Sequence, residues 1–193
     1  MYSVDMNTRG RLVGATQELL WERGYAATSP KDILNRADAG QGSMYHHFTG
    51  KQDLAVTALE ESAAAMRAEA ETLLAGDGAS SERVVAYLER QRESLRGCRM
   101  GRMTYDADVL ATPELLRPVA ETLGWLVDRI ATVIAEGIDN DEFPAGTDPH
   151  QLASMVVATV QGGYVLARAQ QDPAAFDAAV EGAVNLLRRW RHQ

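Results

Sequence analysis

Residues 28–54 constrain this chain more than any other stretch, because they pack several helix start and stop signals into one short segment. Ser29 stands as an N-cap, and Pro30 fits the first helical position, where a missing amide costs nothing. Asp32, three residues after the cap, can return its carboxylate to the cap amide. Ile33, Leu34 and Ala37 then supply an apolar stripe. Asp38-Ala39-Gly40-Gln41-Gly42 breaks the periodicity over the length that a turn between two crossed helices requires. A second helix follows from Ser43 to Phe48, with Met44 and Phe48 four apart on one face. Ser43, Tyr45, His46 and His47 occupy the other faces, able to meet phosphates or base edges. The spacing predicts a helix-turn-helix.

The flanking chain reads as helical throughout. After a loose start over residues 1–7, a helix from Thr8 carries Leu12, Ala15, Thr16, Leu19 and Leu20 on one face and closes at Gly24. A long helix over 51–75 has Leu54, Thr57, Ala58, Glu61 and Ala65 as a small-residue stripe, which suits a connecting rod rather than a core element. Gly76-Asp77-Gly78-Ala79-Ser80-Ser81 is a loop. Further helices are expected over 81–96, 102–110, 113–136, 148–170 and 172–190, with a break at Gly97-Cys98-Arg99-Met100-Gly101. Pro118 falls early in the third of these, as a kink or a false start. Asp148-Pro149 and Asp172-Pro173 repeat the cap-then-proline device. Arg188, Arg189 and Arg191 complement the dipole of the last helix. About nine helices and no strand emerge, so the fold class is all-α. An N-terminal DNA-binding domain is expected over residues 1–50, and a helical domain over 51–193.

The net charge is −8, which at first sight disfavours a polyanionic partner. Over residues 1–54, however, six basic side chains (Arg9, Arg11, Arg23, Lys31, Arg36, Lys51) balance six acidic ones (Asp5, Glu18, Glu22, Asp32, Asp38, Asp53). Such a segment binds DNA by placed contacts and not by bulk charge. Cys98 is the one cysteine, so no intrachain disulfide forms, in keeping with a reducing cytosol. No run of about 18 uncharged apolar residues appears, nor a leader with a basic start, so a cytoplasmic protein without a membrane span is expected. Enzyme chemistry finds no support. His46 and His47 belong to the second short helix, and His150 and His192 stand apart from any cysteine or acidic cluster with metal-ligand spacing. No phosphate loop and no cofactor motif is present.

Over residues 8–54 the sequence resembles the TetR family of bacterial transcription regulators. The matching features are a helix ending in Arg23-Gly24-Tyr25, then Thr28-Ser29, Ile33 of the next helix, and Gly42-Ser43-Met44-Tyr45-His46-His47-Phe48 followed by Lys51 and Leu54. The resemblance implies a three-helix DNA-binding head with residues 41–48 in the major groove, and a second helical domain that dimerises and usually holds a small-molecule pocket. It implies DNA contacts by Thr28 on the backbone, by Gln41, Gly42 and Ser43 at the start of the recognition helix, by Tyr45 and His46 on phosphates and bases, and by Lys51 as a phosphate clamp. His47 more often packs than reads. Asp38 stands where the family commonly has Gly, Ala39 where it has a larger aliphatic, and Gly40 where it has a hydroxyl cap.

Later segments resemble one type of TetR C-terminal domain at Gly97-Cys98-Arg99-Met100-Gly101, Glu136-Gly137, Asp148-Pro149 and Gly162-Gly163. Leu152, Met155, Val156, Thr159, Val160, Gly163 and Leu166 recur at helical steps, as do Val180, Ala183, Val184 and Leu187. These mark a homodimer contact, because reading a palindrome requires two heads spaced about 34–36 Å apart; the plainer reading is one intrachain core, which each helix has enough apolar face to serve in part. Tyr87, Gln91, Met100, Met103, Tyr105, Trp125, Met155 and Tyr164 have the composition of an apolar pocket with a few polar anchors for a small-molecule effector. Ordinary core filling explains the same residues. Arg96 and Arg99 beside Cys98 would favour a thiolate sensor, against the plainer reading of a small buried residue. The function expected is a repressor released from a double-stranded operator by an effector. The alternatives are an effector-independent regulator or activator and, remotely, a helical enzyme.

Overall fold

The computed structural model describes residues 2–190, with side chains from Thr8 onward. Arg191 and His192 lie outside the described residues. Ten helices and no strand form among the described residues: α1 (Tyr2–Arg23), α2 (Pro30–Ala37), α3 (Gln41–His47), α4 (Lys51–Leu74), α5 (Ser80–Glu89), α6 (Arg99–Met103), α7 (Ala107–Ala111), α8 (Pro113–Asp139), α9 (Pro149–Gln170) and α10 (Ala174–Trp190). The all-α fold class is as expected. The chain divides into two compact units, Met1–Ala65 with Arg99–Thr122, and Met66–Cys98 with Leu123–Gln193.

In the first unit α1 begins at Tyr2 rather than Thr8, and packs against α2, α3 and α6. Its face of Leu12, Ala15, Thr16, Leu19 and Leu20 is buried throughout. The unit extends past residue 50. Leu54, Ala55, Ala58, Leu59 and Ala63 of α4 are buried, and Gln17 Nε2 donates to the Ala58 carbonyl at 3.3 Å. The first half of α4 is therefore a core element and not a bare rod, whereas Glu61 and Ala65 of the expected stripe face solvent. Met100, Met103 and Val109 of α6 and α7 are fully buried in this unit. Two short helices replace the one expected over 102–110, because Asp106 starts a new helix by accepting from the Asp108 and Val109 amides at 3.1 and 3.4 Å.

The second unit buries one apolar cluster drawn from the end of α4 and from α5, α8, α9 and α10. Its helices end on side chains from elsewhere in the unit. Helix α5 stops at Glu89, well short of residue 96, because Arg92 folds back on it. The Arg92 guanidinium donates to the carbonyls of Tyr87, Leu88 and Arg90 at 2.5, 2.7 and 2.9 Å, which satisfies acceptors the helix leaves open. At the other end Glu142 accepts from the Ser80 and Ser81 amides at 3.0 and 2.8 Å and from the Ser81 hydroxyl at 2.9 Å. The C-terminus of α4 is held likewise, with Arg83 and Arg129 both donating to the Leu74 carbonyl, at 3.1 and 3.3 Å. Helix α8 runs unbroken through Pro118 and past Gly137 to Asp139. Gly137 is needed for packing, since a Cβ there would stand 2.6 Å from Phe143 and 2.9 Å from Ser80.

The residues expected at a dimer contact are mostly interior. Leu152, Val156, Val160, Val180, Val184 and Leu187 are each at most 6% exposed and belong to the chain's own core. Gly163 is buried against Phe176, whose ring a Cβ would meet at 2.8 Å, and Met155 and Thr159 are half-buried. Leu166 of the expected set is exposed, and so are Val165 and Leu186. Amphipathic periodicity identified the buried face of each helix, most of which the chain's own core covers. Helix α9 is also the one helix among the described residues long and apolar enough to cross a membrane. Its apolar face is spent on the core beside α10.

Candidate nucleic-acid interface

The two helices of the helix-turn-helix are held differently. At the start of α2 the Ser29 Oγ accepts from the Asp32 amide at 3.2 Å, while the Asp32 carboxylate accepts from the Ser29 amide and hydroxyl at 3.0 and 2.6 Å. The Ser29 hydroxyl, then its amide, hold the Asp32 carboxyl below the usual carboxylate range, with Arg23 adding to the effect. Helix α2 ends on Asp38 at φ 48° and ψ 54°, the left-handed conformation that usually calls for glycine and that Asp tolerates better than most residues. The Asp38 and Ala39 amides then close on the Asn35 and Leu34 carbonyls at 3.4 and 3.1 Å. The turn is therefore formed without glycine at its C-cap.

Helix α3 starts at Gln41, with Gly40 as an extended N-cap that offers no side-chain oxygen. Its placement comes from two buried side chains, Met44 and Phe48. That anchoring turns Gln41, Gly42, Tyr45 and His46 to solvent along one face, with Tyr45 54% exposed, and leaves Ser43 and His47 half-buried. A solvent-facing aromatic, an imidazole and a carboxamide on the opposite side from the anchor form a surface that a groove can receive.

Two expected contacts are committed elsewhere. Thr28 is 1% exposed and its hydroxyl donates to the Gly24 carbonyl at 2.7 Å, so the side chain does not reach a ligand surface. The Lys51 ammonium donates to the Tyr25 carbonyl at 2.8 Å and sits 3.8 Å from the Tyr25 ring centroid. Burial lowers the Lys51 pKa in spite of Asp108 and Asp106, and burial followed by those two aspartates raises that of the Tyr25 phenol. Lys51 thus fixes the α1–α2 loop. The exposed polar groups at the start of α2 are Ser29 and Lys31, which the sequence reading used only as cap and charge.

The compact first unit carries nine basic and twelve acidic residues over 1–65 and 99–122, so it is acidic where the first 54 residues alone are neutral. Much of its positive charge is spent internally. Arg36 pairs with Glu22 at 2.9 Å, Arg99 with Glu18 at 2.7 Å, Arg117 with Glu60 at 2.5 Å and Arg9 with Glu61 at 3.3 Å.

The eight residues considered for a pocket divide between the units. Met100, Met103 and Tyr105 belong to the first, where the methionines are core and Tyr105 is 78% exposed. In the second, Tyr87 and Tyr164 are buried, Trp125 and Met155 pack against the cluster, and Gln91 faces solvent. A cavity of about 310 Å³ in the second unit is lined by Ser81, Glu82, Val85, Ala86, Glu89, Leu187 and Arg188, which are other residues. Cys98 is half-buried. No group of three or more His, Cys, Asp or Glu among the described residues could hold a metal ion.

Comparison with known proteins matches residues 12–58 to the family described as bacterial regulatory proteins, tetR family, and residues 78–183 to the tetracyclin repressor-like C-terminal domain. The chain belongs to the TetR family. An uncharacterised HTH-type transcriptional regulator of Mycobacterium tuberculosis is 30% identical over 189 residues, covering 93% of each protein. The HTH-type transcriptional repressor NemR of Escherichia coli is 23% identical over 94% of each. Among solved structures, reduced Escherichia coli NemR has a TM-score of 0.80 at 22% identity, over 92% of this chain and 96% of that one. A cysteine mutant of CifR complexed with operator DNA has a TM-score of 0.76 at 20% identity, over 90% of this chain and 94% of that one. This TetR-family protein is thus a DNA-binding helix-turn-helix transcriptional regulator and not an enzyme.

Proposed function

We propose that the protein is a cytoplasmic homodimeric repressor, which binds a palindromic operator through α3 and is released by a small-molecule effector. The observation that carries this reading is the division of α3 into a buried anchor, Met44 and Phe48, and an exposed face of Gln41, Gly42, Tyr45 and His46. Ser43 and His47 lie at the edge of that face, and Lys31 adds a contact to the phosphate backbone from α2. Affinity rests on these placed contacts, since an acidic unit gains little from bulk charge.

The dimer contact is assigned to the outward faces of α9 and α10, where Ala158, Gly162, Val165 and Leu166 are exposed beside Gly182 and Leu186. Small residues there allow close approach, and three exposed aliphatics supply apolar area. Effector binding is assigned to the second unit, around Tyr87, Trp125, Met155 and Tyr164. Helix α4 is one continuous helix whose first part belongs to one unit and whose end belongs to the other. With α8, which also crosses from one unit to the other, it is a mechanical link through which an effector shifts the population of DNA-competent spacings.

The test is selection of a DNA duplex by the wild-type protein, followed by titration of Tyr45→Ala on that duplex. We expect Tyr45→Ala to bind about tenfold or more weakly, as for loss of a contact worth about 1–3 kcal/mol, with unchanged thermal unfolding. Equal affinity would remove α3 from the interface. Light scattering on the same sample must give the mass of two chains, and a monomer at micromolar concentration would end the palindromic reading.

A further inference from the structure

The loop between α1 and α2 is held by a side chain eighty residues away. Gly24 ends α1 at φ +87°, and a Cβ on it would stand 2.8 Å from Asp106 Oδ2. That same oxygen accepts from the Ala26 amide at 2.9 Å. The other oxygen of Asp106 caps α7 by accepting from the Asp108 and Val109 amides. One carboxylate therefore joins two segments of the first unit, and only glycine at 24 gives it room. Two carbonyls of the loop are tied as well. Lys51 donates to the Tyr25 carbonyl, and Thr28 donates to the Gly24 carbonyl through its hydroxyl and to the Tyr25 carbonyl through its amide. The loop runs directly into Ser29, the cap of α2.

We infer that Asp106 is a positioning residue for DNA binding, setting the α1–α2 loop and hence the placement of Lys31 at the start of α2 on the operator backbone. This rests on the reading of α2 and α3 as the DNA-binding surface. The physical case is that a charged acceptor for a backbone amide is stronger than a neutral one, and that each such bond narrows the conformations open to the loop. The α6–α7 segment follows Gly97 and Cys98, where the chain passes between the two units. Within it, Asp106 is the side chain that reaches the α1–α2 loop.

Two variants separate the grip from the cap. Asp106→Ala removes both. Asp106→Ser keeps an N-cap oxygen for α7 but has no second oxygen for Ala26. Both are titrated against the duplex selected by the wild type, over a series of salt concentrations, with Asp108→Asn as control. The expected result is that Asp106→Ala and Asp106→Ser each lose about tenfold in affinity, and that the slope of log affinity against log salt falls by about 1, as for one lost phosphate contact. The Ala26 amide should exchange faster in both, while helical content is kept. A stability defect alone would not change the salt slope of the folded protein. Wild-type affinity and slope in Asp106→Ser overturn the inference and leave the DNA-binding reading standing. A wild type that enriches no duplex overturns both.

Discussion

Helices α2 and α3 flank one turn and have nearly the same length, eight and seven residues, yet they are built by opposite means. Helix α2 is specified locally. Its cap, its proline, its returning carboxylate and its left-handed C-cap all lie within the segment itself. Helix α3 has no side-chain cap, and two buried side chains tie it to the rest of the unit. Isolated helices this short are unstable in water, so α3 exists because Met44 and Phe48 are buried. The polar face is thereby freed from structural duty. A recognition helix built this way can vary its outward residues without losing its place, whereas α2 uses even its exposed Ser29 and Asp32 for structure.

The largest test of this contrast is Phe48→Ala. Removing a buried phenyl ring costs about 3–5 kcal/mol, and the loss should fall on the first unit, read by chemical denaturation. A loss under about 1 kcal/mol would mean that α3 supports itself, contrary to its missing cap.

Ser29→Ala comes next and probes the local side. It removes the cap and the hydroxyl that does most to hold Asp32 ionised, for a loss of about 1 kcal/mol. The pH dependence has a definite sign. A carboxyl whose pKa is lowered on folding stabilises the fold above its unfolded value and ceases to do so as pH falls through the folded one. Acidification should therefore fray the start of α2 in the wild type, and Ser29→Ala should show a weaker acid dependence. Amide exchange at Asp32 followed across the acid range measures both. An unchanged acid response in the variant would assign the Asp32 shift to the Ser29 amide, with Arg23 after it, instead.

Legibility in the sequence follows the same division. The ends of α2 were readable, because their signals are contiguous: Ser29, Pro30, Asp32 and the turn at Asp38 stand in the structure as spaced, whereas Leu34 of the expected stripe is only half-buried and the break ends at Gly40. The exposed face of α3 was readable from the positions of Met44 and Phe48. Features set by distant residues were not. Thr28 reads as a hydroxyl at a helix start, and only the fold turns it toward Gly24. Arg92 reads as the continuation of α5, and its guanidinium in fact terminates that helix. The periodicity of α9 and α10 reports which face is apolar but carries no information on whether the same chain or a second copy covers it. Asp106 has no motif around it, and its place in the head depends on a contact eighty residues away.

The smallest test is the most specific to the contrast. Gly40 has φ −79° and ψ 155°, an extended conformation that any residue adopts, and a Cβ there would meet nothing within 4 Å. Gly40→Ser therefore supplies α3 with the cap oxygen it lacks, without strain. Because Gly is itself a tolerated N-cap, the gain should be only a few tenths of a kcal/mol. Burial of Met44 and Phe48 already fixes the helix, so operator affinity should stay within about twofold of wild type. A gain of about 1 kcal/mol or more, seen as a shift in the denaturation midpoint, would mean that α3 frays in the wild type and that burial alone does not hold its first turn. Gln41 and Gly42 would then be ordered by DNA, and the affinity of Gly40→Ser would rise because that ordering no longer has to occur on binding.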